Sequence, residues 1–286
     1  MNGGGVSVII PTRDRAQLLA RQLEAFTAQT FTGSWELIVA DNGSRDGTGD
    51  VVEEFSARLP ARLVAAAERR GAAFARNRGA AAAVGDYLLF VDDDDRVTPG
   101  WLAAMARATE GADILRGRDR YLYSGSDAGD AVVGELDELP SPFGFLPSIS
   151  TANCGIRTEL FWRVGGFNEE YARLEDTDLF WRAQLADGRP SFVPDAILES
   201  SLRHGMRAVW SQTYHDSVFV PMLYRDFRRV GMPRSRTRDA GQGWARVARY
   251  GPRWSTSHHG REELAREVAW RVGMMVGSVR YRVWFL

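Results

Sequence analysis

Four consecutive carboxylates, Asp92–Asp95, are the residues of this chain whose type and spacing most clearly suit chemistry. They follow the apolar run Tyr87–Val91, whose length is typical of a buried strand. Thr98 and Pro99 then predict an N-cap and the first position of a helix. Adjacent carboxylates repel one another unless water or a cation neutralises them, and oxygen ligands suit Mg²⁺ or Mn²⁺. A solvated acidic turn and a divalent-metal site are therefore both open interpretations.

A second acidic group, Glu175, Asp176 and Asp178, stands where a helix is predicted to begin. On a helix Glu175 and Asp178 share a face, while Asp176 points about 100° away. Acids in a first turn are favoured by the helix dipole alone. The same dipole would keep a carboxylate ionised, as a general base requires. Both interpretations stand at this point.

The elements that must position these acids alternate between strand and helix. Strands are predicted at Val6–Ile10, Trp35–Ala40, Arg62–Ala66 and Tyr87–Val91, with helices at residues 16–27, after 48 and at 71–84. This alternation predicts right-handed βαβ units and a parallel sheet. Polar residues follow the strands at Thr12 and Arg13, at Asp41 and at Asp92–Asp95, so they should meet at one edge of the sheet. The predicted fold class is α/β, with a mostly parallel sheet flanked by helices.

The next part of the chain predicts a less regular arrangement. The expected elements are a helix over residues 101–109, strands at 113–118, 151–157 and 192–198, and a short helix capped by Thr158. Residues 124–147 are rich in Gly, Asp, Ser and Pro and predict a long loop. Long loops of this kind often serve as lids or binding loops.

Composition places the chain among globular proteins. Of its 286 residues 44% are hydrophobic and 26% charged, and Cys154 is its one cysteine, so an internal disulfide is excluded. The first residues lack a basic region before the first strand, and no apolar run approaches the roughly 18 residues of a membrane span. These features predict no signal peptide and a cytoplasmic location.

The net charge of −1 hides a strong asymmetry. Residues 201–286 contain 16 arginines and six acidic residues, a net charge of +10, so residues 1–200 carry −11. We therefore expect two parts, a domain over residues 1–200 and a basic, Trp-rich helical segment over 201–286. The helical spacing of Glu262–Leu286 fits a helix packed on the domain or an amphipathic helix at the inner face of an anionic membrane. Nucleic acid is not expected, because the acidic remainder would repel phosphates.

Four segments together resemble the inverting GT-A glycosyltransferases of family 2. They read VSVIIPTRDR, IVADNGSRDGT, GAAFARNRGAAAAVGDYLLFVDDDD and GGFNEEYARLEDTDLFWR, in the order and spacing of that family. The resemblance covers about residues 6–194. It implies a GT-A fold, which is Rossmann-like, with the segment after residue 200 as a helical appendage.

The resemblance implies roles for particular residues. The nucleotide pocket would be lined by Pro11, Thr12, Arg13, Asp41 and Arg76. Asp92 and Asp93 would lie at the ribose and the metal, and Asp94 would ligate Mn²⁺ or Mg²⁺ together with Asp92. Asp176 would be the general base with Glu175 beside it, and Trp162 or Trp181 could stack on a sugar.

Two positions depart from the family pattern. Asn42 stands where many members have a second aspartate. A histidine after the last strand often helps to hold the metal, and the candidates for that position here are His204, His215 and Ser200. The resemblance thus leaves histidine ligation of the metal open.

The expected reaction is inverting transfer of a sugar from a nucleotide-diphosphate sugar, with UDP favoured, to an acceptor hydroxyl. The acceptor could be a glycan, a lipid-linked molecule or a small molecule. One alternative is a catalytically degenerate nucleotide- or sugar-binding module. Another is a sugar nucleotidyltransferase, which is disfavoured because PTRDRAQ lacks that group's glycine-rich loop.

Overall fold

The computed structural model describes residues 5–123, 131–201, 205–234, 237–255 and 257–285. The chain divides into two compact units. The first comprises Met1–Pro140 and Pro147–Leu202, and the second comprises Ser141–Leu146 and Arg203–Leu286.

The first unit begins with the predicted alternation of strands and helices. Its elements are β1 (Val6–Thr12), α1 (Ala16–Thr27), β2 (Trp35–Asp41), α2 (Thr48–Ser56), β3 (Ala61–Ala65), α3 (Ala72–Ala82) and β4 (Tyr87–Val91). These four strands lie in the order β3-β2-β1-β4, and every neighbouring pair is parallel. The carboxyl ends of β1, β2 and β4 therefore meet at one edge, which confirms this part of the prediction.

The rest of the first unit completes a mixed sheet. It contains β5 (Arg96–Val97), α4 (Trp101–Ala108), β6 (Ile114–Tyr123), β7 (Ala131–Leu136), β8 (Asn153–Arg157), α5 (Thr158–Arg163), α6 (Glu175–Leu185) and β9 (Pro190–Ser201). Strand β8 lies antiparallel between β4 and β6, β6 is parallel to β9, and β9 is antiparallel to β5. The α/β class is confirmed, with the parallel order concentrated in β1–β4.

Two local predictions are wrong. Within the expected loop 124–147, residues 131–136 form β7, which pairs antiparallel with β6; residues 124–130 lie outside the described chain. Helix α4 begins at Trp101 with Gly100 as its N-cap, rather than at Thr98 and Pro99. The reason is that Thr98 is engaged with β9, because its backbone N–H and its hydroxyl both donate to the carbonyl oxygen of Ile197, at 3.1 and 3.0 Å.

The core lies on both faces of the sheet, because side chains alternate along each strand. On β4, Leu89 and Val91 belong to one buried cluster, and Leu88 and Phe90 belong to another. Helix α3 approaches the second face closely at Gly79, where an added Cβ would lie 2.6 Å from a methyl carbon of Ile9. This close approach fixes the height of α3 above the sheet.

The second unit is helical in its described residues. It contains α7 (Met206–Phe227), α8 (Thr237–Trp254) and α9 (His258–Arg280), with short 3₁₀ turns at Pro142–Gly144 and Arg228–Val230. Helix α9 starts before the expected position and ends at Arg280. It packs directly on α7, since a Cβ added at Gly273 or Gly277 would overlap Ser217 or the carbonyl oxygen of Val218. Among the described helices, none combines the length and hydrophobicity needed to cross a bilayer.

Candidate active site

The strand ends bring Thr12 and the acidic run together. Thr12 Oγ1 donates to Asp93 Oδ2 at 2.7 Å, and Arg15 Nη1 donates to Asp93 Oδ1 at 2.9 Å and to Asp94 Oδ2 at 3.0 Å. Asp93 is buried, and burial raises its pKa despite the bonds from Thr12 and Arg15. Asp93 therefore connects the end of β1 to the acidic run through hydrogen bonds inside the protein.

The other three carboxylates, Asp92, Asp94 and Asp95, point to a common space. Each offers an oxygen, and these oxygens lie within 4.8 Å of one another. Burial, and then the charge of Asp92, raise the pKa of Asp95 to about 8, against the lowering effect of the Ser200 hydroxyl. Three converging carboxylates, one of them with a raised pKa, are a set of oxygen donors that fits a hard divalent cation.

Ser200, one of the candidates for the position after the last strand, contacts this cluster. Its hydroxyl donates to Asp95 Oδ1 at 2.5 Å. His215 lies on α7 of the second unit, where its Nδ1 is 2.6 Å from the carbonyl oxygen of Ser211. His204 lies outside the described residues.

Arg76, on α3, joins the acidic cluster to the beginning of α6. Its two terminal nitrogens donate to Asp92 Oδ1 at 2.7 Å and to Glu175 Oε1 at 2.8 Å. The residue is only 4% exposed, and its guanidinium lies 5.7 Å from the ring centroid of Phe167. Burial alone would lower the pKa of Arg76, but the two carboxylates outweigh burial and raise that pKa. This geometry favours bracing of two acids over a free nucleotide ligand.

Asn77, the next residue of α3, fixes the segment that precedes α6. Its side-chain amide donates to the carbonyl oxygen of Phe167 at 2.9 Å and to Glu169 at 3.0 Å. Its oxygen accepts the backbone N–H of Phe167 at 2.9 Å. Arg76 and Asn77 thus tie α3 to both ends of the chain leading into α6.

Asp176 lies in the first turn of α6, two residues after a strained residue. Leu174 has φ of 62°, a left-handed conformation that is costly for a side chain of this kind. The half-buried Asp176 accepts the backbone N–H of Thr177 at 2.7 Å. Burial, and then the charge of Glu175, raise the pKa of Asp176 to about 6. The dipole argument from the sequence is therefore incomplete, although a carboxyl with this pKa is mainly ionised at neutral pH.

Asp178, on the same turn, is held in an ion pair within the protein. It is buried and receives Arg182 Nε at 3.0 Å, while Arg182 also donates to the carbonyl oxygen of Gly166 at 2.9 Å. Among the acids of this turn, Asp176 thus differs from both neighbours, since Glu175 and Asp178 are each paired with an arginine.

The last residues of β1 and β2, and the residue after β1, are the remaining predicted nucleotide residues. Pro11 pairs in register with Ala40, and Thr12 with Asp41, so these strand ends are adjacent. Asp41 Oδ1 accepts the backbone N–H of Ser44 at 2.9 Å. Arg13 is half-buried.

The contacts of Asn42 explain why the chain has asparagine here instead of the aspartate of the family pattern. Its amide nitrogen donates to the carbonyl oxygens of Ala66 and Arg69 at 2.5 and 2.7 Å, and its oxygen accepts the N–H of Gly71 at 2.9 Å. An ionised aspartate has no donor for those two carbonyls. Asn42 therefore fixes the chain between β3 and α3.

The two tryptophans proposed to stack on a sugar differ. Trp181 is fully buried in the core, so that prediction is wrong for Trp181. Trp162 is 45% exposed and packs edge-on against Phe161.

The sequence analysis included Asp95 in the acidic run but did not assign it to the metal, and it missed Arg15 and Asn77 as bracing residues. For Asp95 a signal existed, because a turn brings its first and fourth residues within about 7 Å. Such a turn over residues 92–95 places Asp95 beside Asp92. For Arg15 and Asn77 the partners are distant in sequence, and their pairing depends on the folded sheet.

The sequence profile described as "Glycosyl transferase family 2" matches residues 7–165. The chain belongs to this family. It is 28% identical over 200 residues to the glycosyltransferase AglE of Haloferax volcanii, a match covering 67% of this chain and 65% of that protein. It is 32% identical over 177 residues to a PGL/p-HBAD biosynthesis glycosyltransferase of Mycobacterium tuberculosis, covering 60% and 66%. The chain thus spans just under two thirds of the length of these relatives.

Solved structures show the same fold. The mannosyltransferase PcManGT from Pyrobaculum calidifontis, in complex with GDP-Man and Mn²⁺, has a TM-score of 0.65 and 17% identity, covering 96% of this chain and 86% of that one. TarS 1-349 of S. aureus, in complex with UDP-GlcNAc, has a TM-score of 0.58 and 19% identity, covering 99% and 93%. This family 2 protein therefore has the GT-A fold that its motifs predict.

Proposed function

We propose that this family 2 protein is an inverting glycosyltransferase that moves a sugar from a nucleotide-diphosphate sugar to an acceptor hydroxyl. The observation that carries the proposal is the pair of hydrogen bonds from Arg76 to Asp92 and to Glu175. These bonds hold the acidic cluster beside the start of α6, where Asp176 has a raised pKa. The nucleotide sugars named for TarS and PcManGT support this donor class, and UDP is the nucleotide we favour.

The donor side is formed by the strand ends. We assign nucleotide binding to the residues at the ends of β1, β2 and β4 and to α3: Pro11, Thr12, Arg13, Asp41, Arg76, Asp92 and Asp93. Asp41 would contact the base. Arg76 would act on the nucleotide by holding Asp92 in place, since its terminal nitrogens are engaged with Asp92 and Glu175.

The residues that would hold Mn²⁺ or Mg²⁺ are Asp92, Asp94 and Asp95, because their oxygens converge and because burial and the charge of Asp92 raise the pKa of Asp95. His204 remains a proposed additional ligand. A bound divalent ion would neutralise charge on the departing diphosphate. The Mn²⁺ named for PcManGT is in line with this donor set.

Asp176 is the proposed general base, with Glu175 beside it. The acceptor oxygen forms a bond to the anomeric carbon while the bond from that carbon to the diphosphate oxygen breaks on the opposite face. Asp176 takes the proton of the acceptor hydroxyl, and the product has the inverted configuration. A base whose pKa lies near the working pH suits this transfer, which typically contributes 10²–10⁴-fold to rate.

The role of each part of the chain follows from this assignment. Residues 1–200 would carry donor binding and catalysis, and residues 201–286 would form a basic helical segment in peripheral contact with a membrane. The protein would work in the cytoplasm, at the inner face of that membrane. Acceptors with a glycan, lipid-linked or small-molecule hydroxyl fit the proposal.

Calorimetric binding of UDP, dTDP and GDP, with Mn²⁺ and with EDTA, tests the donor assignment. We expect one nucleotide to bind wild type only with the metal, and Asp94→Ala to lose that binding. Asp195→Ala is the matched control, because Asp195 lies in the same unit with its side chain 75% exposed. Absence of nucleotide binding in folded wild type would contradict the proposal. Nucleotide binding without transfer to any acceptor would favour the degenerate module instead.

A further inference from the structure

Helix α9 has one packed side and one bare apolar side near its end. Gly273 and Gly277 face α7, and their lack of side chains allows the two backbones to approach closely. On other positions of the same turns, Met275, Val276 and Val279 are 48%, 40% and 79% exposed. Val279 follows Met275 by four residues and Val276 by three, so these side chains lie on a common strip of the helix.

The chain after α9 adds a tryptophan to the same end of the helix. The N–H of Val283 donates to the carbonyl oxygen of Ser278 at 3.0 Å, and the N–H of Phe285 donates to Ser278 Oγ at 3.3 Å. Val283 and Phe285 are buried, whereas Trp284 between them is 60% exposed. Because the segment is held at Ser278, the Trp284 indole is presented beside the end of the apolar strip.

The charged side chains of residues 268–286 are of one sign. Residues 268–286 include three arginines and no acidic residue. Arg280 and Arg282 are exposed, and the Arg280 guanidinium lies 5.5 Å from the ring centroid of Tyr281. We call the exposed residues together the Arg-Trp surface: Met275, Val276, Val279, Arg280, Arg282 and Trp284.

The combination of side chains decides between possible partners. A nucleic acid would be matched by the arginines but would leave Val279 and its apolar neighbours unpaired. A second copy seated symmetrically on the same surface would set arginines of like charge against each other. An anionic bilayer offers headgroups for the arginines and an apolar boundary for Val279 and Trp284.

We infer that the Arg-Trp surface docks the protein on bilayers containing anionic lipid. The inference rests on the proposed peripheral membrane contact and specifies the residues that make it. Val279 and Trp284 would enter the boundary between headgroups and acyl chains, and Arg280 and Arg282 would pair with anionic headgroups. The transfer reaction itself is not needed for this docking.

Sedimentation with phosphatidylcholine vesicles, with and without phosphatidylglycerol, tests the inference on the full chain without nucleotide. We expect wild type to bind only the vesicles that contain phosphatidylglycerol. Arg280→Ala and Arg282→Ala should each weaken binding about fivefold. Val279→Glu should weaken binding at least about tenfold, because it places a charge at the apolar boundary. Val84→Glu is the matched control, since Val84 is 84% exposed but belongs to the acidic first unit, and its binding should be unchanged.

Several results would overturn the inference. These are no binding of wild type to anionic vesicles, equal binding to vesicles without phosphatidylglycerol, equal loss in Val84→Glu, and full binding by Val279→Glu. Self-association of wild type that is abolished in Val279→Glu would assign the surface to a second copy. Circular dichroism melting establishes that each variant is folded. Loss of the proposed nucleotide binding is measured separately, so failure of the transferase proposal leaves the vesicle result interpretable.

Discussion

The strand-end edge of the first unit and the α7–α9 pair of the second unit bury different kinds of groups. Among the described residues, the buried charged side chains are Arg76, Asp93, Arg116, Asp119 and Asp178, and all belong to the first unit. In the described part of the second unit the buried polar side chains are the hydroxyls of Ser217 and Ser278. The second unit nevertheless belongs to the strongly basic part of the sequence.

The difference indicates that charged side chains are buried in the first region and remain at the surface in the second. Burying a charge is costly unless it is paired, so the bridges at the strand ends hold their acids in defined positions. In the described part of the second unit most arginines lie at the surface, and the helices pack through buried apolar side chains and through backbones that approach closely at Gly273 and Gly277. Substitutions in the first region should therefore change chemistry most, and substitutions in the second should change stability most.

The largest expected effect is on turnover, and it would test the chemical half of this comparison. Asp176→Asn should lower kcat about 10²–10⁴-fold, because the amide cannot take the acceptor proton. The dissociation constant of the nucleotide should stay near that of wild type. Because burial and Glu175 raise the pKa of Asp176 to about 6, wild-type kcat should fall as the pH drops below that value. Stopped-time assays of product formation across pH measure both effects.

Undiminished turnover by Asp176→Asn would show that another group takes the proton. The control is Asp195→Asn, whose carboxylate is mostly exposed and pairs with the exposed Arg107 at 3.4 Å. Its kcat and pH profile should match those of wild type.

The second effect, on stability, sharpens the other half of the comparison. Gly277→Ala places a methyl against the carbonyl oxygen of Val218, so α7 and α9 must separate. We expect the free energy of unfolding to fall by about 2–3 kcal/mol. Gly241→Ala lies within α8, where the described residues place no atom within 4 Å of the new Cβ apart from its chain neighbours and the backbone of its own helix. It should instead gain about 0.5–1 kcal/mol. Urea unfolding followed by circular dichroism compares the pair; equal losses for both would contradict packing at Gly277.

The strands of the first unit were easier to predict from the sequence than the arginine–carboxylate pairs that hold its acids in place. Strands β1, β2 and β4 were predictable because short apolar runs ended in polar residues, and parallel order then aligned Thr12, Asp41 and the acidic run. The Arg76–Glu175 pair joins residues 99 positions apart, and no local pattern encodes it. The same holds for the bond from Arg15 to Asp93.

The other wrong or incomplete predictions concern local features for which the sequence offers alternatives and does not choose among them. Threonine is a common N-cap residue, but Thr98 is hydrogen-bonded to Ile197 of β9, and the helix therefore begins at Trp101. The first turn of α6 contains three acids that look alike in sequence. Burial and pairing then separate Asp178, which is neutralised by Arg182, from Asp176, whose pKa is raised.

The smallest expected effect uses those two acids to compare chemistry with stability inside one helix turn. Asp176 has a folded-state pKa of about 6, above its ordinary value, so the folded protein binds more protons than the unfolded chain between roughly pH 4 and pH 6. The ionised carboxylate therefore opposes folding above that range, and Asp176→Asn should be more stable than wild type at pH 8 by about 1–2 kcal/mol, allowing for its partial exposure. The difference should disappear as the pH falls towards 4.

Asp178→Asn should do the opposite, because it leaves Arg182 without its paired carboxylate and should lower stability at pH 8. Urea unfolding of both variants at pH 5 and pH 8 measures the contrast. Loss of stability in both variants would mean that the Asp176 carboxylate is as well compensated as that of Asp178. A gain in Asp176→Asn together with its loss of turnover would show that this acid is held at a cost to folding, as expected of a group kept for chemistry.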